Sequence, residues 1–137
     1  MKKVFSLLLI LLPLTLMTVS CHDEEDPIAT TSPYAKYKGS WLGTYSGSDS
    51  GTIDFIVNGD GKIIGDVESN GFKTQELTLK GKVNIHGELS MILVKTNDDG
   101  TEEDIGSFVG SVSKSNGSGT WVNDGAGGIK GTWIASK

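Results

Sequence analysis

From residue 37 onward, short apolar alternations are cut at close and regular intervals by turn signals, a spacing that only short strands can use. Ser48-Asp49-Ser50-Gly51, Asn58-Gly59-Asp60-Gly61, Asn70-Gly71 and Ser115-Asn116-Gly117 are the clearest breaks. Asn and Gly tolerate the positive φ that tight hairpin turns need, so these breaks predict chain reversals. Between them apolar residues and glycine recur at every second position: Ile53, Phe55 and Val57; Leu77, Leu79, Gly81 and Val83; Leu89, Met91 and Leu93. That period marks half-buried strands. No helical period persists here. The chain has 19 glycines but only three prolines, and the glycines follow no period of three. Collagen is thereby excluded, and the glycines read as sites of turns and close strand approach.

Strands are expected over residues 37–46, 52–57, 62–69, 74–83, 87–95, 105–112, 118–123 and 129–136, with 96–104 as a long polar loop. The fold class is therefore all-β, an eight-stranded antiparallel up-and-down meander. An open sheet would expose two unpaired edges. Eight strands can close into a small barrel, whose interior is filled by side chains or holds one small ligand. A β-sandwich is the alternative.

A loose repeat runs through these strands. Gly39-Ser40-Trp41, Gly119-Thr120-Trp121 and Gly131-Thr132-Trp133 share a Gly-x-Trp unit, and Gly65-Asp66-Val67, Gly81-Lys82-Val83 and Gly110-Ser111-Val112 share a second. A glycine beside a large ring lets a strand bend while the ring covers the gap. With the Asn-Gly-Asp-Gly hairpin and the meander, residues 39–137 resemble small avidin-like and lipocalin-like barrels. They are also similar to glycine-rich domains of bacterial lipoproteins. The resemblance is one of architecture, and the polar biotin contacts of avidins have no counterparts that can be placed on this chain. The aromatic residues Trp41, Tyr45, Phe55, Phe108, Trp121 and Trp133 either line a pocket for an apolar ligand or form the core itself.

The N-terminal segment carries an address. Lys2 and Lys3 precede an apolar run, Val4 to Met17, which ends in Thr18-Val19-Ser20-Cys21. A basic start, a short apolar core and a small-residue cleavage site define a signal peptide. The core falls short of the roughly 20 apolar residues of a membrane span, and Pro13 interrupts it. The segment resembles a bacterial lipoprotein signal, with Thr18 in place of the usual leucine. The resemblance implies that Cys21 becomes the lipidated N-terminus, anchored through its acyl chains. His22-Asp23-Glu24-Glu25-Asp26 follows and resembles a surface-export signal of Gram-negative lipoproteins; the run also argues against an inner-leaflet role that depends on attraction to anionic headgroups. The expected organisation is a signal peptide over 1–20, an acidic and polar tether over 21–36, and a β-barrel domain over 37–137. The expected location is the outer membrane, on the cell surface or otherwise on its periplasmic face.

Composition narrows the functions further. Removing residues 1–20 leaves ten lysines against 17 acids, a formal charge of −7, with no arginine. Such a chain is a poor nucleic-acid binder. The single cysteine allows no internal disulfide, so stability rests on the core. No pattern for catalysis or a cofactor is present. His22 lies in the tether and His86 in an expected turn, without neighbouring ligands at metal-binding spacing. Asp98, Asp99 and Glu102 offer oxygen atoms to calcium, but their spacing is not that of an EF-hand loop. The expectation is a non-catalytic, lipid-anchored binding module for a small apolar ligand or a surface protein or glycan. The alternatives are a structural or interaction lipoprotein with a solid barrel and, behind it, a small hydrolase.

Overall fold

A computed structural model of the chain describes residues 30–137. Cys21, the signal segment and most of the tether lie outside the described residues. The strands are β1 (Gly39–Gly47), β2 (Gly51–Val57), β3 (Lys62–Ser69), β4 (Glu76–Val83), β5 (Glu88–Thr96), β6 (Glu102–Val112), β7 (Asn116–Asn123) and β8 (Ile129–Ser136). Every strand pairs antiparallel with its neighbours in sequence, and β8 pairs back onto β1, so the sheet is a closed barrel. Closure leaves no sheet edge unpaired. Residues 32–137 thus carry a complete backbone ladder and their own core. Apart from one short 3-10 turn at Asp124–Ala126, capped by the Asn123 side chain, the described fold is all-β.

The register fixes the barrel's width. Paired residues lead once round the wall from Gly39 through Val57, Ile63, Gly81, Met91, Phe108, Trp121 and Gly131 to Gly47. The path ends eight residues farther along the starting strand. Eight strands with a stagger of eight share the geometry of the inner barrel of (β/α)8 enzymes. Strands there tilt by about 36°, and layered side chains fill the interior. The alternating residues Trp41, Ile53, Phe55, Leu79, Met91, Phe108 and Trp133 are accordingly almost fully buried.

Two local features differ from the expected pattern. The 96–104 loop is shorter, because β5 continues to Thr96 and β6 starts at Glu102. Glu102, Glu103 and Asp104 pair in register with Thr96, Lys95 and Val94 while remaining exposed, so this strand end shows no apolar alternation. A bulge also interrupts β6. Leu93 pairs with Gly106 and Val94 with Asp104, leaving Ile105 as the extra residue. The bulge lets Ile105 and Phe108 both reach the core despite their odd spacing.

The barrel has two unlike ends. At the first, β1, β3, β5 and β7 begin and residues 32–38 enter as a plug. Ser32 Oγ donates to the Gly59 carbonyl at 2.6 Å, and Tyr37 OH donates to the Ile85 carbonyl at 3.3 Å. Tyr34 packs against Gly61 and the core, and Tyr37 is buried. The docked segment therefore begins within the stretch that the sequence assigns to the tether. Two aromatic side chains hold it there, and their burial outweighs the linker character of Pro33 and its Thr and Ser neighbours.

Candidate functional site

The six rings named as pocket or core candidates lie inside the barrel and pack in two sets of three. Tyr45 meets Phe108 and Trp121 edge-on at 5.8 and 5.1 Å between centroids, and Phe108 stacks on Trp121 at 6.1 Å. Trp41 stacks on Phe55 at 5.9 Å, and Phe55 meets the edge of Trp133. All are at most 4% exposed. Their polar atoms are also engaged. The indole N–H groups of Trp41, Trp121 and Trp133 donate to the carbonyls of Tyr37, Ser46 and Val109 at 2.9, 3.0 and 3.0 Å. A buried Trp or Tyr usually meets its polar requirement in this way.

The Gly-x-Trp units explain how so many rings fit. Gly119 pairs with Trp133 and Trp121 with Gly131 across β7 and β8. Each indole therefore lies over the glycine of the other unit. A Cβ on Gly131 would sit 2.7 Å from Trp121 Nε1, and one on Gly119 would sit 2.6 Å from Trp133 Nε1.

At the far end of the barrel, Asp49 closes the wall. Its carboxylate accepts from Tyr45 OH at 3.0 Å, Ser69 Oγ at 2.6 Å and the Gly71 N–H at 3.0 Å. Burial pushes the Asp49 carboxyl up. Hydrogen bonds from Ser69, the Ser50 N–H, Tyr45 and the Gly71 N–H outweigh that effect and hold it below the ordinary carboxylate value. Burial, aided by the Asp49 charge and opposed by the Ser69 hydrogen bond, pushes the Tyr45 phenol up to about 12.

These two groups have opposite consequences for stability. The unfolded chain holds the Asp49 proton more tightly, so this contribution is complete above the ordinary carboxylate range and is lost as pH falls through the lower folded value. Unfolded tyrosine ionises near its ordinary value of 10, so the Tyr45 contribution declines as pH rises from there towards 12. Asp49→Ala should cost about 2 kcal/mol at neutral pH, because three donors lose their acceptor. It should also flatten the acid limb of a stability–pH curve. An acid limb as steep as wild type's would contradict this role.

The calcium candidates do not converge. Asp99 turns back within the β5–β6 turn, where it accepts from Thr101 N at 3.0 Å and Thr101 Oγ1 at 2.6 Å. Glu102 pairs with Lys80 on the wall, while Asp98 is exposed. Among the described residues, no group of three His, Cys, Asp or Glu side chains is placed to hold an ion. His86 sits exposed in the β4–β5 turn, where its backbone N–H donates to Asn84 Oδ1.

Two open concavities lie on the outer wall. The larger, about 850 Å³, runs over β7, β8 and β1 and is lined by Leu42, Thr44, Ser118, Ile134 and Ser136, with His86 at its end. Another, about 360 Å³, places Ile56 and Ile64 beside Asp54, Asp66 and Thr78. Sequence reasoning does not find these surfaces, because strand alternation identifies outward positions without showing which of them adjoin. Comparison of the chain with protein-family models, curated proteins and solved structures returns no match.

Proposed function

We propose that this chain is an exported, lipid-anchored cell-envelope protein whose barrel is a non-catalytic interaction module. Its outer wall meets a surface protein or glycan, and its interior serves as core rather than as a ligand pocket. The observation that carries this reading is the burial of Trp41, Tyr45, Phe108, Trp121 and Trp133, packed with Phe55 in two sets of rings, with all three indole N–H groups committed to backbone carbonyls. The narrow stagger of the strands supports it. The anchor rests on the run from Lys2 to Cys21.

Two measurements test the two halves of this reading. Metabolic labelling with a fatty-acid analogue should tag the protein, and Cys21→Ala should abolish the tag. A tag that persists in Cys21→Ala refutes the anchor. Tryptophan emission should stay blue-shifted and unchanged through a screen of small apolar ligands, since the indoles already have partners. A saturable shift with one ligand would restore the pocket.

A further inference from the structure

The charges of the barrel are sorted by end. The end entered by the plug carries six exposed lysines: Lys36, Lys38, Lys62, Lys82, Lys114 and Lys137. Only Asp60 and Glu88 oppose them there, and Asp60 already pairs with Lys62 at 3.3 Å. The far end reverses the balance. Nine carboxylates, from Asp49 and Glu76 through the 98–104 hairpin to Asp124, face four lysines, one of which, Lys80, pairs with Glu102. The chain is acidic as a whole, so net charge hides a basic face.

The apolar surface is sorted the same way. Leu42, Ile56, Ile64, Ile85, Val109 and Ile134 are 43–64% exposed, and each lies in the half of its strand, or in the turn, nearer the basic end. Ile92 sits at mid-strand, and the far half holds none of these large exposed aliphatics. Basic rims beside exposed aliphatic side chains are the composition that partitions to anionic lipid surfaces. The polypeptide also reaches the barrel at this end. Residues 21–31 span at most about 35 Å, so an anchor at Cys21 keeps this end near the bilayer.

We propose that the plug end of the barrel is a docking face for anionic lipid headgroups of the membrane that carries the anchor. The lysines meet headgroup phosphates, the aliphatic side chains settle at the interface, and the acidic end points away from the surface. The face rests on the anchored reading above, yet it is tested without the anchor.

The probe is the chain from residue 21 to 137 with Cys21→Ser, floated with phosphatidylcholine vesicles that contain or lack phosphatidylglycerol. Uptake should require phosphatidylglycerol and fall as salt rises. Lys38→Gln, Lys82→Gln and Lys114→Gln together should lower uptake by about 100-fold, taking each lysine near an anionic surface at its usual contribution. None of the three makes a described side-chain hydrogen bond or ion pair, so folding is spared. Lys73→Gln, Lys95→Gln and Lys130→Gln change the net charge equally at the opposite end and should leave uptake within about twofold of wild type. Equal losses in the two triple variants would reduce the effect to net charge and overturn the proposal. No loss in either would also overturn it, as expected if Asp23, Glu24, Glu25 and Asp26 of the tether already cover the lysines. Self-association that competes with vesicle uptake would assign the face to a second copy instead. Fatty-acid labelling of the wild-type chain reads the anchor separately, so failure of one does not imply failure of the other.

Discussion

Gly131→Val should prevent the barrel from closing, at a cost of about 4 kcal/mol or more, enough to unfold a domain of ordinary stability. A Cβ at this position would collide with the Ser46 carbonyl oxygen and lie 2.7 Å from Trp121 Nε1. The first obstacle is backbone, and it belongs to β1, the strand that closes the barrel against β8. The side chain therefore wedges the seam itself. Trimming the indole should not rescue the variant: Trp121→Phe removes the more distant obstacle and leaves the carbonyl in place. Gly59→Ala is the matched control, since its Cβ would meet nothing within 4 Å. It should stay within about 0.5 kcal/mol of wild type. Urea denaturation followed by tryptophan emission measures all three. A Gly131→Val protein that unfolds cooperatively near the wild-type midpoint would show that the seam tolerates displacement.

The Gly-x-Trp repeat is legible in the amino-acid sequence because it is local. Each of the β7 and β8 units carries a ring and, two positions away, the glycine that gives room to the other unit's ring on the neighbouring strand. The eight strands are legible for a related reason. Apolar residues two apart and Asn-Gly breaks act within a hairpin, and hairpins with sequential neighbours make up the whole sheet. β3 and β8 fall on the expected residues for this reason. The early residues of β6 are hidden because Glu102, Glu103 and Asp104 form an exposed hairpin arm without apolar alternation.

What depends on the third dimension is not legible in this way. The stagger of eight emerges only when register is followed through all eight pairs, and it is what makes the interior narrow. Asp49 looks like a turn residue, yet Ser69 and Gly71 reach it from 20 or more residues away. The basic face is invisible for the same reason. Its six lysines are scattered from Lys36 to Lys137, and only the up-and-down topology brings them to one end. Tyr34 and Tyr37, within a stretch of Pro and Thr, are the one local sign that the tether docks.

Trp133→Ala should cost about 3–5 kcal/mol, near the upper limit for deleting a core ring. The cost of such a deletion depends on how far neighbours can collapse into the space. Here they cannot collapse far. Gly117 and Gly119 approach the ring and have no side chain to swing inward. Phe55 is fixed by its stack on Trp41. The Val109 carbonyl would also lose the indole N–H that it accepts at 3.0 Å. Trp133→Phe keeps most of the ring but not the donor, and should cost less, about 1–2 kcal/mol. The order Ala above Phe is what a filled interior requires. A hollow barrel predicts something different, because an indole bordering water is removed cheaply and the pocket merely widens. Xenon separates the two: it should bind Trp133→Ala, whose new cavity is lined by apolar groups, and should find no interior site in the wild-type protein. Equal xenon binding by wild type and variant, together with a cost below about 1 kcal/mol, would mean that the rings line a ligand pocket after all.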